Sequence, residues 1–347
     1  MKELFKIEKN PKKGLLAAEW AMMAYLVFTL LMALLLSTKL PNPEMIVWGR
    51  AKIIFMTAAL WLVYRIVPCR FTRLVRIGAQ MGLLAWWYPD TYEFNRIFPN
   101  LDHVFAAWEQ DLFGCQPAIV FSQAVTSAVV SELFDLGYWA YYYMIALVVV
   151  YYFGWRYHEF ERAAFIVLAA FFIYYLVFIF IPVTGPTFYY KAAGLKNIMA
   201  GVFPNVHDYF NFHQDCLPAP GYQDGVFYHL VEGAKAAGER PTAAFPSSHI
   251  GISTIIMWLL IHARNWRLMW ILMPLYICLC CATVYIQAHY LVDAIGGLIS
   301  GTLLYFILLF CSKNMMTSTN TKKKRRSHRK DYEETIYRDL RMPNERG

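Results

Sequence analysis

The chain has 347 residues, of which 58% are hydrophobic and 16% are charged. Soluble domains carry about 25% charged residues, so this composition excludes an ordinary soluble globular protein and favours a membrane protein. The formal net charge of +8 does not indicate a nucleic-acid partner, because the basic residues are not interleaved with aromatic ones in a basic domain.

Apolar segments of about 20 residues, the length that crosses a bilayer, recur along the chain. They lie at roughly residues 15–38, 47–67, 74–90, 136–155, 163–183, 247–263, 267–287 and 289–311. The first is too long for the apolar core of a cleavable signal peptide. The sequence therefore predicts an all-α bundle with six to eight membrane spans. Its predicted parts are a tail at 1–14, a transmembrane domain at 15–311 and a basic tail at 312–347.

The lysines and arginines are unevenly distributed between the segments that join the spans. With eight spans, 24 of the 32 basic residues fall on the side that holds both termini, including the run Lys322–Arg326. Because basic residues accumulate on the cytoplasmic side, we expect both termini to be cytoplasmic. Segments 91–135 and 184–246 then face the periplasm or lumen. We expect the first to form short interfacial helices and the second, rich in Gly, Pro, Asn and Asp, to be a functional loop.

Two of the seven cysteines, Cys115 and Cys216, lie in these two segments. A disulfide between them is chemically permitted outside the cytoplasm, and two unrelated thiols are the alternative. The other five lie in or beside apolar runs as small hydrophobic residues, and the cysteines lack metal-ligand spacing.

Two short segments carry residues suited to phosphate chemistry, and the first opens the sixth predicted span. Residues 244–249 read Ala-Phe-Pro-Ser-Ser-His. Proline suits the first helical turn. A helix N-terminus with free N–H groups, supplemented by the hydroxyls of Ser247 and Ser248, favours a bound phosphate.

The second segment opens the eighth span and reads His-Tyr-Leu-Val-Asp at residues 289–293. Residues four apart share a helix face, so Asp293 can accept a proton from one nitrogen of His289 and leave the other nitrogen with its lone pair. An imidazole oriented in this way is typical of an activated nucleophile. Spans six and eight run in the same direction, which predicts His249 and His289 at the same membrane depth. Each histidine alone would fit an interfacial residue, but an acid within a span is costly and usually functional.

Together the two segments resemble the type-2 phosphatidic acid phosphatase superfamily, which has a Pro-Ser-x-His motif and a His-x-x-x-Asp motif. The residues of the two motifs, with Gly296-Gly297 after the second, look closest to the fungal inositol phosphorylceramide synthase branch. The segment Phe180–Tyr190 looks similar to a further motif of that branch, which lies first in the chain. The resemblance implies a six-helix phosphatase or phosphotransferase core, which would make 15–311 a catalytic domain.

The resemblance also implies a role for each motif residue. His289 would be the nucleophile that forms a phosphohistidine, Asp293 its orienting partner and His249 the general acid and base. Other candidate residues for binding phosphate or substrate are Ser247, Ser248, Lys191, Arg240, Tyr189 and Tyr190.

The departures from the superfamily pattern concern positive charge. Its phosphatases have an Arg six residues before the second histidine, where this chain has Thr283, and a Lys and an Arg before the proline of the first motif, where Gly185 precedes Pro186. A monoester dianion relies on such cations during transfer, whereas a phosphodiester carries one charge. The absence of these positive charges favours a phosphodiester donor, although Lys191, Lys196 or Arg240 can supply a cation from segment 184–246.

The leading hypothesis is a membrane lipid phosphotransferase that moves a phospho-headgroup from a glycerophospholipid to a lipid hydroxyl such as that of ceramide. The alternative is a lipid phosphate phosphatase that hydrolyses phosphatidate or an isoprenyl diphosphate. A transporter-like bundle would show paired broken helices or polar residues spread through its spans, and the sequence indicates neither. The implied partners are membrane lipids as substrates. The implied site is at the periplasmic or lumenal face, and no cofactor or metal is implied.

Overall fold

The computed structural model describes residues 3–9 and 11–312, and these residues form helices and no strand. The helices are α1 (Ala17–Leu35), α2 (Pro43–Ile66), α3 (Arg70–Gly82), α4 (Leu84–Asn95), α5 (Asp102–Phe113), α6 (Pro117–Ala124), α7 (Ala128–Trp139), α8 (Tyr141–Trp155), α9 (Tyr157–Phe180), α10 (Pro186–Ala193), α11 (Leu195–Met199), α12 (Val226–Gly238), α13 (Ser248–His262), α14 (Trp266–Tyr285) and α15 (Leu291–Ser312). A 3-10 turn lies at Tyr209–Asn211. The predicted all-α class is confirmed. The basic tail from Lys313 onwards, including Lys322–Arg326, lies outside the described residues.

Within the described residues, five helices are long and apolar enough to cross a membrane, namely α1, α2, α9, α14 and α15. The pair α7 and α8 forms a sixth if it is counted as one span bent by 48°. Helix α13 is apolar but has only 15 residues. The protein is therefore an integral membrane helix bundle, with α9 packed between α1, α4, α8 and α13.

The third predicted span, 74–90, is wrong as a single helix. The segment is divided at Leu83 between α3 and α4, which have 13 and 12 residues. At 1.5 Å per residue neither crosses a hydrocarbon core of about 30 Å. The polar face of α3 points inward, because Arg76 Nε donates to Glu19 at 2.7 Å and Gln80 donates to Thr57 at 3.1 Å.

The two long segments contain short helices. Residues 91–135 hold α5, α6 and the first part of α7, which confirms the predicted short helices. Residues 184–246 hold α10, α11 and α12, so this segment is more structured than the expected loop. Helix α12 is fastened to α7, because the Glu132 carboxylate accepts from the amides of Phe227 and Tyr228 at 3.1 and 3.0 Å. Capping of this kind stabilises a helix N-terminus.

All seven cysteines are free, including Cys115 and Cys216. The hypothesised disulfide is absent, and the alternative of two unrelated thiols describes the structure.

The chain divides into two units, Met1–Tyr305 and Phe306–Gly347. The first holds helices α1 to α14 and most of α15. Of the second, the structure describes Phe306 to Ser312, the last turns of α15. Both histidine motifs belong to the first unit.

Candidate active site

The N-termini of α13 and α15 meet through a backbone hydrogen bond. The Ser247 amide donates to the Asp293 carbonyl at 3.0 Å, and the Ser247 hydroxyl accepts from the Ile250 amide at 3.4 Å as the cap of α13. Glycine permits this approach, since a Cβ on Gly297 would lie 2.5 Å from the Ser247 carbonyl oxygen. Close backbone approach thus explains why a glycine follows the second motif. Helix α13 begins at Ser248, so Pro246 lies before the first helical turn rather than in it.

The two motif histidines face each other. The ring centroids of His249 and His289 are 5.7 Å apart, and the rings are nearly perpendicular at 64°. Tyr138 stacks on His249 at 4.7 Å, and Tyr141 lies on it at 4.5 Å. The two histidines therefore lie side by side, and the two tyrosine rings pack against the His249 ring.

His289 is oriented by a backbone carbonyl. Its Nδ1 lies 2.9 Å from the Ala244 carbonyl oxygen. A carbonyl can only accept a hydrogen bond, so Nδ1 carries the proton and Nε2 keeps its lone pair. Ala243 has a positive φ of 73°, which turns the chain so that the Ala244 amide donates to the Val183 carbonyl at 2.9 Å. The Ala244 carbonyl is thereby held in place for the imidazole.

Asp293 acts on His289 from a greater distance than the sequence predicted. Its Oδ2 lies 3.7 Å from His289 Nδ1 and accepts from the Tyr290 amide at 2.8 Å. The carboxylate therefore caps the first turn of α15, while the Ala244 carbonyl takes the hydrogen bond that was expected for Asp293. A carboxylate at this distance still favours the protonated imidazole that forms during proton transfer.

Several buried polar atoms around the two histidines lack a hydrogen-bond partner among the described residues. They are His249 Nδ1, Asp293 Oδ1, Glu239 Oε2, Thr242 Oγ1 and Glu109 Oε2. Buried polar groups normally have partners, so this cluster marks a place where a polar ligand can complete the hydrogen bonding. Burial is the main cause that raises the pKa of Glu239 above its usual range, against the opposing charges of Lys235 and His289.

A cavity of about 360 Å³ lies nearby, lined in part by Pro182, Thr184 and Pro241. The polar side chains along it are largely used within the protein. Tyr92 donates to the Phe210 carbonyl at 2.6 Å, and Arg96 donates to the Asn211 carbonyl at 3.2 Å. The histidine pair, with its unpartnered atoms, is therefore the better candidate for a reacting site.

The serine and tyrosine candidates have other structural roles in this arrangement. Ser247 is fully buried as the helix cap, and Ser248 is buried with its carbonyl accepting from Tyr141 at 3.4 Å. The Tyr189 hydroxyl donates to the Pro204 carbonyl at 2.9 Å, and the Tyr190 hydroxyl donates to Gln116 at 3.1 Å. Both tyrosine hydroxyls are thus occupied within the protein, which argues against their predicted use for phosphate.

The two cationic candidates differ in burial. Lys191 is exposed at the end of α10, whereas Arg240 is half-buried. The Arg240 guanidinium donates to the Glu239 carbonyl at 3.4 Å and forms no ion pair within the described chain. It precedes Ala244, which holds His289, by four residues. The structure shows no contact of either cation with the histidines, and Arg240 is the better placed of the two.

The position of the missing arginine is filled by a structural residue. Thr283 is fully buried, its hydroxyl donates to the Cys280 carbonyl at 2.9 Å, and its carbonyl accepts from the His289 amide at 2.9 Å. An arginine would not fit here without repacking α14.

Asp102, which the sequence did not single out, connects the segment Phe180–Tyr190 to the His-x-x-x-Asp motif. This buried carboxylate accepts from the Thr184 amide at 2.7 Å, the Gly185 amide at 2.9 Å and the Tyr290 hydroxyl at 3.1 Å. Burial raises its pKa to about 6, and the hydrogen bonds from Thr184, Asn100 and Gly185 oppose that rise. Gly185 has a positive φ of 92°, and its Cβ would lie 2.5 Å from the Ala288 carbonyl oxygen. Only glycine fits this backbone position.

A family model described as the PAP2 superfamily matches residues 103–307, which include both histidines and Asp293. The match covers more than half of the chain, and the protein belongs to this superfamily. Its members are typically phosphatase or phosphotransferase enzymes that act on lipid-like substrates. Neither the comparison with curated proteins nor that with solved structures found a match. The finer likeness to the inositol phosphorylceramide synthase branch stays a prediction.

Proposed function

We propose that the protein is a lipid phosphotransferase that moves a phospho-headgroup from a glycerophospholipid to a lipid hydroxyl such as that of ceramide. The observation that carries the proposal is the facing pair of imidazoles, with His289 Nδ1 committed to the Ala244 carbonyl. This leaves Nε2 of His289 as a nucleophile and His249 beside it as a proton carrier.

The reaction takes two displacements at phosphorus. In the first, the Nε2 lone pair of His289 attacks the phosphodiester phosphorus, the bond to the diacylglycerol oxygen breaks, and His249 gives that oxygen a proton. In the second, the acceptor hydroxyl attacks the phosphohistidine and its proton passes to His249. The N–P bond breaks and His289 is restored. Asp293 stabilises the imidazole while it carries positive charge.

The preference for a phosphodiester donor is supported by the charges around the histidines. Thr283 stands where the superfamily phosphatases have an arginine, and Arg240 is a half-buried cation without an ion pair in the described residues. One cation suits a monoanionic donor better than a dianionic monoester, whose transfer is stabilised by several positive groups.

A lipid phosphate phosphatase is the second candidate. The same histidine pair would serve if water replaced the acceptor hydroxyl, and the superfamily assignment is compatible with either reaction. A transporter-like bundle finds less support. The α7–α8 break does correct the expectation of unbroken spans, but among the described helices it is the one bent pair that is long and apolar enough to be a broken span.

Product analysis tests the proposal. Purified full-length protein is given a phosphoinositide with ceramide, or phosphatidate alone, and the lipids are identified by mass spectrometry. We expect a new phosphosphingolipid and diacylglycerol, little free phosphate from phosphatidate, and no product from His289→Ala. His213→Ala, which removes an exposed histidine outside the site, is the control and keeps activity. Rapid phosphatidate hydrolysis without headgroup transfer would reject the transferase and leave the phosphatase.

A further inference from the structure

Helix α5 contributes a second carboxylate to the catalytic end of α15. Glu109 is completely buried, and its Oε1 accepts from the Val292 amide at 3.1 Å. Asp293, the next residue, caps the same turn through the Tyr290 amide at 2.8 Å. Two carboxylates from different helices therefore accept from amides two residues apart at one helix N-terminus, where the helix dipole favours negative charge.

Each of these carboxylates keeps one oxygen without a partner. Glu109 Oε2 and Asp293 Oδ1 are both buried and accept no hydrogen bond among the described residues. A cap needs only one oxygen, so capping does not explain the second. Two buried carboxylates in electrostatic range of each other are not both charged without a large cost, and one of them takes up a proton.

We infer that Glu109 is a positioning residue of the catalytic site, which holds the first turn of α15 in place and carries a proton in the active enzyme. The inference rests on the proposed function, because it concerns the approach of an anionic lipid to His289. A neutral Glu109 allows Asp293 to keep the negative charge that acts on the imidazole. A charged Glu109 would add a second negative charge behind Asp293 and oppose the anionic donor.

The surroundings of Glu109 fit this assignment. The pKa of Glu109 is raised to about 7, mainly by burial and also by the charge of Asp293, against the amides of Val292 and Leu291, which lower it. Tyr190 on α10 also faces Glu109, and burial keeps the pKa of this tyrosine above its usual range. Asp102 lies seven residues earlier on α5. The described residues place no lysine or arginine in an ion pair with Glu109.

The direction in which activity changes with pH follows from the ionisation of the Glu109 carboxyl group. Glu109 is neutral below its pKa and becomes charged as the pH rises through it, so the active form is lost on the alkaline side. We expect kcat/KM for a phosphodiester donor to fall roughly tenfold between about pH 6 and about pH 8. Glu109→Gln keeps an oxygen for the Val292 amide and cannot ionise. We expect this variant to retain activity and to lose the alkaline fall.

Asp111→Asn is the matched control, because it neutralises an exposed carboxylate on the same helix. It should keep the wild-type profile. A merely structural Glu109 would give Glu109→Gln the same profile as the wild type, and that result would overturn the inference. A wild-type profile without an alkaline fall would overturn it as well.

A second variant leaves Glu109 in place and serves if Glu109→Gln does not fold. Val292→Pro removes the N–H donor to Glu109 at a position near the helix start, where proline is tolerated. Because that hydrogen bond favours the charged carboxylate, its loss should move the alkaline fall to higher pH. An unmoved fall would contradict the inference.

Infrared difference spectra of the wild type detect the protonation of the Glu109 carboxyl group without requiring turnover. Raising the pH from about 6 to about 8 should remove a protonated-carboxyl band that is missing in Glu109→Gln. Asp111→Asn should retain that change, and the comparison with Glu109→Gln separates Glu109 from the other buried carboxyls, such as Asp102. Absence of the band in the wild type would refute the inference. If the protein instead shows the band but forms no lipid product, the proposed function fails while the protonated Glu109 stands.

Discussion

His249, His289 and Asp293 are the candidate residues that the structure brings together, and two segments of a few residues each encode them. The structure brings the two rings to 5.7 Å and Asp293 to 3.7 Å from His289. The detail that differs is the partner of His289 Nδ1. That partner is the Ala244 carbonyl, a backbone atom, and backbone acceptors from distant segments leave no signal in residue types.

Asp102 and Glu109 could not be predicted for the same reason. Their donors lie more than 80 residues further along the chain, in Thr184, Tyr290 and Val292. The available signal was two acids seven residues apart on one predicted interfacial helix, which places them on one face. That pattern also describes many solvated helices and so does not single out a site.

Arg240 offers a test of the donor's charge at the level of one residue. A dianionic monoester depends on a clamping cation more than a monoanionic diester does. We expect Arg240→Ala to lower the already low kcat/KM for phosphatidate on the order of a hundredfold, and to lower headgroup transfer from a phosphodiester by a smaller factor. Steady-state rates on both substrates provide the measurement.

Lys191→Ala is the control for Arg240, because it removes an exposed cation from the neighbouring segment. It should change either rate little. Equal losses on the two substrates in Arg240→Ala would count against a preference based on charge. A loss confined to Lys191→Ala would show that the exposed lysine supplies the cation.

At the level of elements, the site depends on how closely α13 approaches α15. A Cβ on Gly297 would lie 2.5 Å from the Ser247 carbonyl, and one on Gly296 would lie 2.9 Å from the Phe245 ring. These contacts explain the pair of glycines after Asp293. Six of the eight predicted spans were found as single helices, five of them long enough to cross a membrane, because long apolar runs identify them directly. The third was wrong because the polar face of α3 packs inside the protein.

Gly297→Ala tests whether this approach sets the distance between the histidines. The added methyl group must push the start of α13 away from α15, and a displacement of about 1 Å can cost about a hundredfold in rate. We expect that loss in kcat, with the protein still folded by thermal unfolding in detergent. Gly154→Ala, in α8 with open space around its Cβ, should keep both rate and stability. Full activity of Gly297→Ala would show that the two histidines still function when α13 and α15 lie further apart.

At the level of the whole molecule, the helix bundle contains buried ion pairs. Arg50 donates to both oxygens of Asp90 at 2.7 Å, and Arg76 pairs with Glu19, with all four side chains buried. Breaking such a pair leaves a buried charge unpaired. The pairs join α2 to α4 and α3 to α1, so they fix the N-terminal helices around α9 rather than the histidine site.

The orientation in the membrane remains a prediction from the distribution of basic residues. In a protein whose native cysteines are replaced, we expect Asp224→Cys to react with an impermeant thiol reagent from the periplasmic or lumenal side. His158→Cys, an exposed residue at the α8–α9 connection, should react only after the membrane is opened. The reverse pattern would place the histidines at the cytoplasmic face.

The central claim is that the phospho-headgroup passes through His289. Purified protein is mixed with a phosphodiester donor in the absence of an acceptor, quenched, and its peptides are analysed by mass spectrometry under conditions that preserve phosphohistidine. We predict a phospho-headgroup adduct on His289, lost when ceramide is added and absent from Asp293→Ala or His289→Ala. Product formation with no adduct, or an adduct on another residue, would contradict this account.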